Sequence, residues 1–211
     1  MYMYLHLIIR LTGWQRNFPV ISADATRPHM EPVISEFLDQ TLPLQHLINI
    51  YSERIAPRLS KHCDTVWDHL RDFQKTYYRK DTEKLAKLKT HYISQAVHFN
   101  VDGQPHRDSR GAWCGFDCVA VVGKYEGGRL RFPELGCSFP SRPGDVFFFR
   151  GAGLKHQGTG WAGEGRMVLA YFADRRIFLK ESIHRPKDLQ PVYGRAHAEF
   201  RQVYPYIDFN M

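Results

Sequence analysis

Apolar positions in the first half of the chain recur with a helical period. From Met30 to Ala56 they fall at Val33, Ile34, Phe37, Leu38, Leu42, Leu44, Leu47, Ile48, Tyr51 and Ile55. This spacing approximates the 3.6-residue repeat that lays one face of a helix against a core. Pro43 interrupts the run. Pro57 separates it from a second predicted helix over 60–78, with Val66, Trp67, Leu70, Phe73, Gln74 and Tyr77 on one side. The basic stretch from Arg79 to Lys89 reads as a solvated face. The opening run Met1–Ile9 is apolar but stops at Arg10. It falls far short of the roughly 20 residues needed to span a bilayer, and it lacks the basic start and small-residue cleavage site of a signal peptide. It predicts a strand or packed arm, no membrane partner and an intracellular protein.

Beyond about residue 90 the pattern changes. Short apolar or alternating runs appear at Tyr92–Phe99, Cys118–Val122, Leu130–Phe132, Phe139, Val146–Phe149 and Met167–Phe172. Between them stand turn signals: Gly127-Gly128, Pro143-Gly144-Asp145, Gly151-Ala152-Gly153 and Gly163-Glu164-Gly165. Many short strands with regular turns predict a sandwich or barrel, and a double-sheet jelly roll of about eight strands suits this length. After Asp174 the chain turns polar and Pro-interrupted, ending in an arm or short helix around 195–204. The expected organisation is one domain over 1–211. Its parts are a helical support region (1–90), a β core (91–176) and a C-terminal extension (177–211). The fold class is α+β.

Composition adds three constraints. At 211 residues, 43% hydrophobic and 24% charged, the chain can build a core and is not wholly disordered. The net charge of +7 favours polyanionic partners such as nucleic acid, although the excess is spread along the chain and mildly basic domains without such partners are common. Of the cysteines Cys63, Cys114, Cys118 and Cys137, only Cys114 and Cys118 lie close together. No second tight pair completes a zinc site, so four free thiols in a reducing compartment are expected.

The chemistry resides in His106-Arg107-Asp108 and, beyond the intervening strands, His156. In extended backbone, residues i and i+2 point the same way, so His106 and Asp108 can reach one metal while Arg107 points elsewhere. Two imidazoles and one carboxylate on one face of iron(II) leave three open positions, enough for a bidentate 2-oxo acid and O2. Arg166, at the start of the last strong strand, can grip a carboxylate in bidentate fashion. His-x-Asp alone arises often by chance. Its combination with a later His and Arg, across turn-punctuated strands, is far more specific.

With these residues in place, the chain resembles the iron(II)/2-oxoglutarate-dependent dioxygenase superfamily over roughly residues 92–176. The resemblance implies a distorted double-stranded β-helix, cupin-like, backed by the N-terminal helices. It implies iron ligands at His106, Asp108 and His156 and a 2-oxoglutarate anchor at Arg166, with iron(II), 2-oxoglutarate and O2 as cofactor and cosubstrates. Pro105-His106-Arg107-Asp108 is similar to the metal motif of the Tet/JBP oxygenases of nucleic-acid bases. Glu126-Gly127-Gly128-Arg129-Leu130-Arg131-Phe132-Pro133-Glu134-Leu135-Gly136 looks like their compact fungal relatives. Ser109, Arg110 and Gly111 stand where animal members carry a base-contacting Asn, and the cysteine-rich zinc region of those members is absent. A second 2-oxoglutarate contact is expected from Gln95, His98 or Asn100.

The expected activity is oxidation of a 5-methylcytosine-like base in DNA or RNA, in the nucleus or cytoplasm. Arg107, Arg110, Trp113, Lys124 and Arg129 are candidate groove residues, and Trp113 or Phe116 a stacking platform. Two alternatives use the same residues differently. One is a 2-oxoglutarate-dependent hydroxylase of a small molecule or protein side chain. The other is a non-enzymatic β-sandwich binding module, in which the histidines merely pack.

Overall fold

The computed structural model describes residues 28–68, 87–88, 90–92, 94–109, 111–112 and 115–173, together with the backbone of three N-terminal strands and of helix residues 69–77. The strands are β1 (Tyr4–Leu5), β2 (Ile9–Leu11) and β3 (Pro19–Ile21), followed by helices α1 (Glu31–Gln40), α2 (Leu42–Ile55) and α3 (Pro57–Tyr77). Neither proline sits mid-helix. Pro43 lies in the first turn of α2 and Pro57 opens α3, where a missing N–H costs no hydrogen bond and the fixed φ suits the helix. Pro57 therefore starts the third helix rather than standing apart from it. No helix of the described residues is long and apolar enough to cross a membrane.

The remaining strands are β4 (Ser94–Phe99), β5 (Asp117–Glu126), β6 (Arg129–Phe132), β7 (Cys137–Pro140), β8 (Val146–Phe149), β9 (Gln157–Thr159) and β10 (Ala162–Phe172). Together with β1 they form two antiparallel sheets, a five-stranded one ordered β1-β4-β10-β5-β8 and a three-stranded one ordered β7-β6-β9. Tyr4 and Leu5 pair with His98 and Val97, so part of the opening run is a strand on the edge of the large sheet. Gly163-Glu164-Gly165 is not a turn. It lies within β10 as a bulge, where the register against β5 shifts. A Cβ at Gly163 would meet the β5 backbone at Lys124 and Tyr125, so close strand approach selects glycine there.

Alternation gives the large sheet two unlike faces. Val97 and Phe99, Cys118, Ala120 and Val122, Val146 and Phe148, and Met167, Leu169 and Tyr171 pack in one cluster with Ile34, Leu38, Ile48, Cys63, Val66 and Trp67 of the helices. The alternate residues face the small sheet. Val119, Phe147 and Phe149 pack there against Leu130, Phe132, Cys137 and Leu154. By register His98, Val168 and Val121 stand in one row on this inner face, next to Arg166 and Gly123. The result is an α+β double-stranded β-helix with the helices covering one side of the larger sheet. Cys63, Cys118 and Cys137 are not disulfide-bonded. Cys114, the basic stretch 78–86 and the extension from Asp174 onward lie outside the described residues.

Candidate metal centre

His106 and His156 are brought together by the backbone. His106 N–H donates to His156 O at 3.0 Å and His156 N–H to His106 O at 2.8 Å, an isolated antiparallel bridge at the start of β9. Gly103 N–H continues the contact to Gly158 O at 3.0 Å, so the segment 103–106 runs alongside β9. Two residues on, Asp108 is fixed by its N–H bonded to Gly151 O at 2.9 Å. One ligand atom from each of His106, Asp108 and His156 lies within 4.8 Å of the others. The Asp108 carboxylate reaches both imidazoles, Oδ1 to His106 Nε2 and Oδ2 to His156 Nε2, each at 3.6 Å.

Those separations exceed hydrogen-bond length and leave room between the groups. The orientation of the rings is fixed from behind. His106 Nδ1 lies 2.8 Å from Gln104 O, and His156 Nδ1 lies 3.0 Å from Leu154 O. A carbonyl only accepts, so each Nδ1 carries the proton and each Nε2 presents its lone pair inward. This is how protein backbone prepares imidazoles to ligate a metal. His156 is buried, with the ring of Phe149 edge-on at 4.7 Å. Burial lowers its pKa, against the opposing pull of the Asp108 carboxylate, and so favours the neutral, ligating form. His106 and Asp108 are half exposed, at 50% and 41%. The cluster therefore opens to solvent at His106 and Asp108 and is covered by the Phe149 ring at His156. The donor set of two imidazole nitrogens and one carboxylate suits a divalent transition metal with open coordination positions.

Arg166 lies deeper on the same inner face. It is 6% exposed, which demands a compensating partner for its charge. Its protein contacts fall short of that. Nη1 donates to Val101 O at 3.4 Å, the guanidinium carbon stands 5.7 Å from the Tyr125 ring centroid, and Nε has no hydrogen-bond partner. Gly158 stands beside it, and a Cβ there would come within 3.2 Å of Nη2. Gly158 is two residues beyond His156 on β9, so both face the same way. A half-satisfied buried cation behind an inward-pointing imidazole is suited to receive an anion that also reaches the cluster.

The other expected site residues fall in different places. Gln95 is corrected by the register. It pairs with Tyr171 on the helix-covered face, opposite to Arg166, and cannot reach the cluster. His98 pairs with Val168 on the inner face. Asn100 adopts a left-handed conformation, φ 52°, which asparagine tolerates. Its Oδ1 accepts from Arg166 N–H at 2.8 Å. Arg107 is not a free groove residue, because it donates to Gly153 O at 3.3 Å and pairs with Glu134. Lys124 is a solvent-exposed partner of Glu164, and Arg129 binds Ser138 Oγ at 2.8 Å on the outer side of the small sheet. Phe116 lies under the Arg150 guanidinium at 5.3 Å. Arg110 and Trp113 lie outside the described residues.

Two residues at the site escaped sequence reasoning. Asp117, at the start of β5, is buried and accepts Gly151 N–H at 2.9 Å. Burial and the nearby Asp108 carboxylate raise its pKa well above the ordinary value. Gly151 leaves room for both, since a Cβ there would displace the two carboxylates. A lone acid opening an apolar strand, as in Phe116-Asp117-Cys118-Val119, was the available signal. Glu134, in the turn 133–135, is the second.

A double-stranded β-helix carrying two imidazoles and a carboxylate at one mouth defines the structural class. Within it, the fold matches that of NgTET1, solved in complex with 5mC DNA, with a TM-score of 0.59 at 19% identity over 86% of this chain and 68% of that one. A cupin 2 conserved barrel domain protein from Salinispora arenicola CNS-205 matches more distantly, with a TM-score of 0.33 at 14% identity over 44% of this chain and 71% of that chain. No family model and no curated protein matches the chain in sequence.

Proposed function

We propose that this chain is an iron(II)- and 2-oxoglutarate-dependent dioxygenase that oxidises a methylated, 5-methylcytosine-like base in nucleic acid inside the cell. The observation that carries the reading is the convergence of His106, Asp108 and His156 within 4.8 Å, with both Nδ1 atoms tied back to carbonyls and an under-satisfied buried guanidinium behind them. His106, Asp108 and His156 would hold the iron. Arg166 would pair with the distal carboxylate of 2-oxoglutarate, and His98, on the same face, is the better placed of the remaining candidates for the other end. Bound iron(II) with 2-oxoglutarate and O2 supplies oxidation of an unactivated C–H bond, driven by decarboxylation of the oxo acid. Phe149, backed by Phe132, would shield the His156 side of the cluster from water.

The base preference rests on the fold likeness to NgTET1, whose structure holds 5mC DNA, and on the net charge of +7. A base in a duplex would have to leave the stack to reach the half-exposed mouth at His106 and Asp108. The test is mass spectrometry of 5-methylcytosine duplexes and single strands after incubation with protein, iron(II) and 2-oxoglutarate. Oxidised base is expected. 2-Oxoglutarate consumption stimulated by a metabolite or peptide, but not by nucleic acid, would move the activity to a hydroxylase of those substrates. No consumption and no cosubstrate binding would leave a binding module.

A further inference from the structure

Glu134 belongs to neither ligand-bearing segment, yet it touches both. It sits in the 3-10 turn Pro133–Leu135 between β6 and β7. One carboxylate oxygen pairs with the guanidinium of Arg107, the residue between His106 and Asp108. The other accepts the backbone N–H of Lys155, the residue before His156, at 3.0 Å. Arg107 also donates Nε to Gly153 O at 3.3 Å. Arg107 and Lys155 form the position next to the His106–His156 bridge in antiparallel register, and their side chains point away from the cluster.

Taking the reading of the cluster as a metal centre, we propose that Glu134 is its positioning residue, clamping the two ligand segments from their outer side. The bridge is flanked by backbone bonds from Gly103 N–H to Gly158 O and from Asp108 N–H to Gly151 O, but among the described residues no backbone bond joins Arg107 to Lys155. The Glu134 carboxylate, bonded to both residues, ties the segments at that position. The Arg107 and Glu134 side chains are 25% and 24% exposed, so this charge-assisted contact is screened less than a surface pair. The clamp also explains the charged residue between the two ligands of the first segment. Arg107 acts on the outer face, opposite to the metal.

The test compares wild type with Glu134→Ala and Glu134→Gln, using cobalt(II) as an oxygen-stable probe of the cluster. Loss of a partner bonded directly to a ligating side chain costs about 10–100-fold in metal affinity, and Glu134 acts one residue removed, so a loss of about 10-fold is expected. Glu134→Ala should show that loss with little change in thermal midpoint. Glu134→Gln keeps a neutral acceptor for Lys155 and should fall between. A metal-independent arm follows amide exchange over 151–157 in metal-free protein, which should quicken in Glu134→Ala and not in the exposed control Lys124→Ala. Should wild type bind no cobalt, the metal reading fails and the exchange arm alone decides the clamp. Wild-type affinity in both variants, or unaltered exchange, overturns the clamp.

Discussion

The two faces of β10 divide the molecule's labour. Met167, Leu169 and Tyr171 face the helices in a continuous apolar cluster, where a residue's value is the surface it removes from water. Arg166 and Val168, one step out of phase, face the small sheet beside His98 and Gly123. On that side lie a buried arginine, a buried aspartate at the end of the neighbouring strand and a histidine cluster, each unfavourable for folding unless partnered. One strand thus carries the packed core on one side and the candidate site on the other, and the two are separable by substitution.

The largest expected effect is on the site face. Asp108→Ala should abolish metal binding, because it removes the group that contacts both imidazoles, while leaving cooperative unfolding nearly intact. On the opposite face, Leu169→Ala should destabilise the protein by about 2–5 kcal/mol, the cost of a cavity in a packed core, measured by urea denaturation. The folded fraction should keep wild-type metal stoichiometry. If Leu169→Ala removes metal binding from folded protein, the faces are not independent. Arg166→Ala should weaken 2-oxoglutarate binding by about 2–5 kcal/mol, as for a truncated partner of a buried charge pair, with metal affinity preserved. Calorimetric titration into cobalt-loaded protein would show it, and equal weakening of both ligands would contradict it.

The smallest effect should come from Asp117, and its size depends on pH. Its pKa is raised in the fold, so the folded protein holds a proton that the unfolded chain releases. Stability is therefore lost as pH rises from the ordinary carboxylate value through the folded one. Asparagine cannot ionise. Metal-free Asp117→Asn should match wild type in acid and exceed it at neutral pH, and a wild-type advantage that grows with pH would refute this.

Much of the architecture could be read from the chain because it rests on local pattern. The strand runs were apolar, and i, i+2 geometry suffices to aim His106 and Asp108 together. What escaped depended on neighbours. β9, Gln157-Gly158-Thr159, has no apolar signature of its own; it is a strand because β6 and the segment 103–106 flank it. Gln95 and His98 could not be told apart without knowing which face of β4 the helices cover. Arg107 looked like a substrate contact because its partner, Glu134, lies in a turn remote in sequence. The glycines at 163 and 165 read as a turn because a bulge and a turn select the same residue.

The central claim is that His106, Asp108 and His156 meet around one metal with Arg166 poised to anchor an oxo acid beside it. Anaerobic titration with iron(II) and then 2-oxoglutarate tests it most directly. A weak visible charge-transfer band at one iron per chain, absent from His106→Ala and His156→Ala, is the expected result. No band in wild type, or a band that survives either substitution, would contradict it.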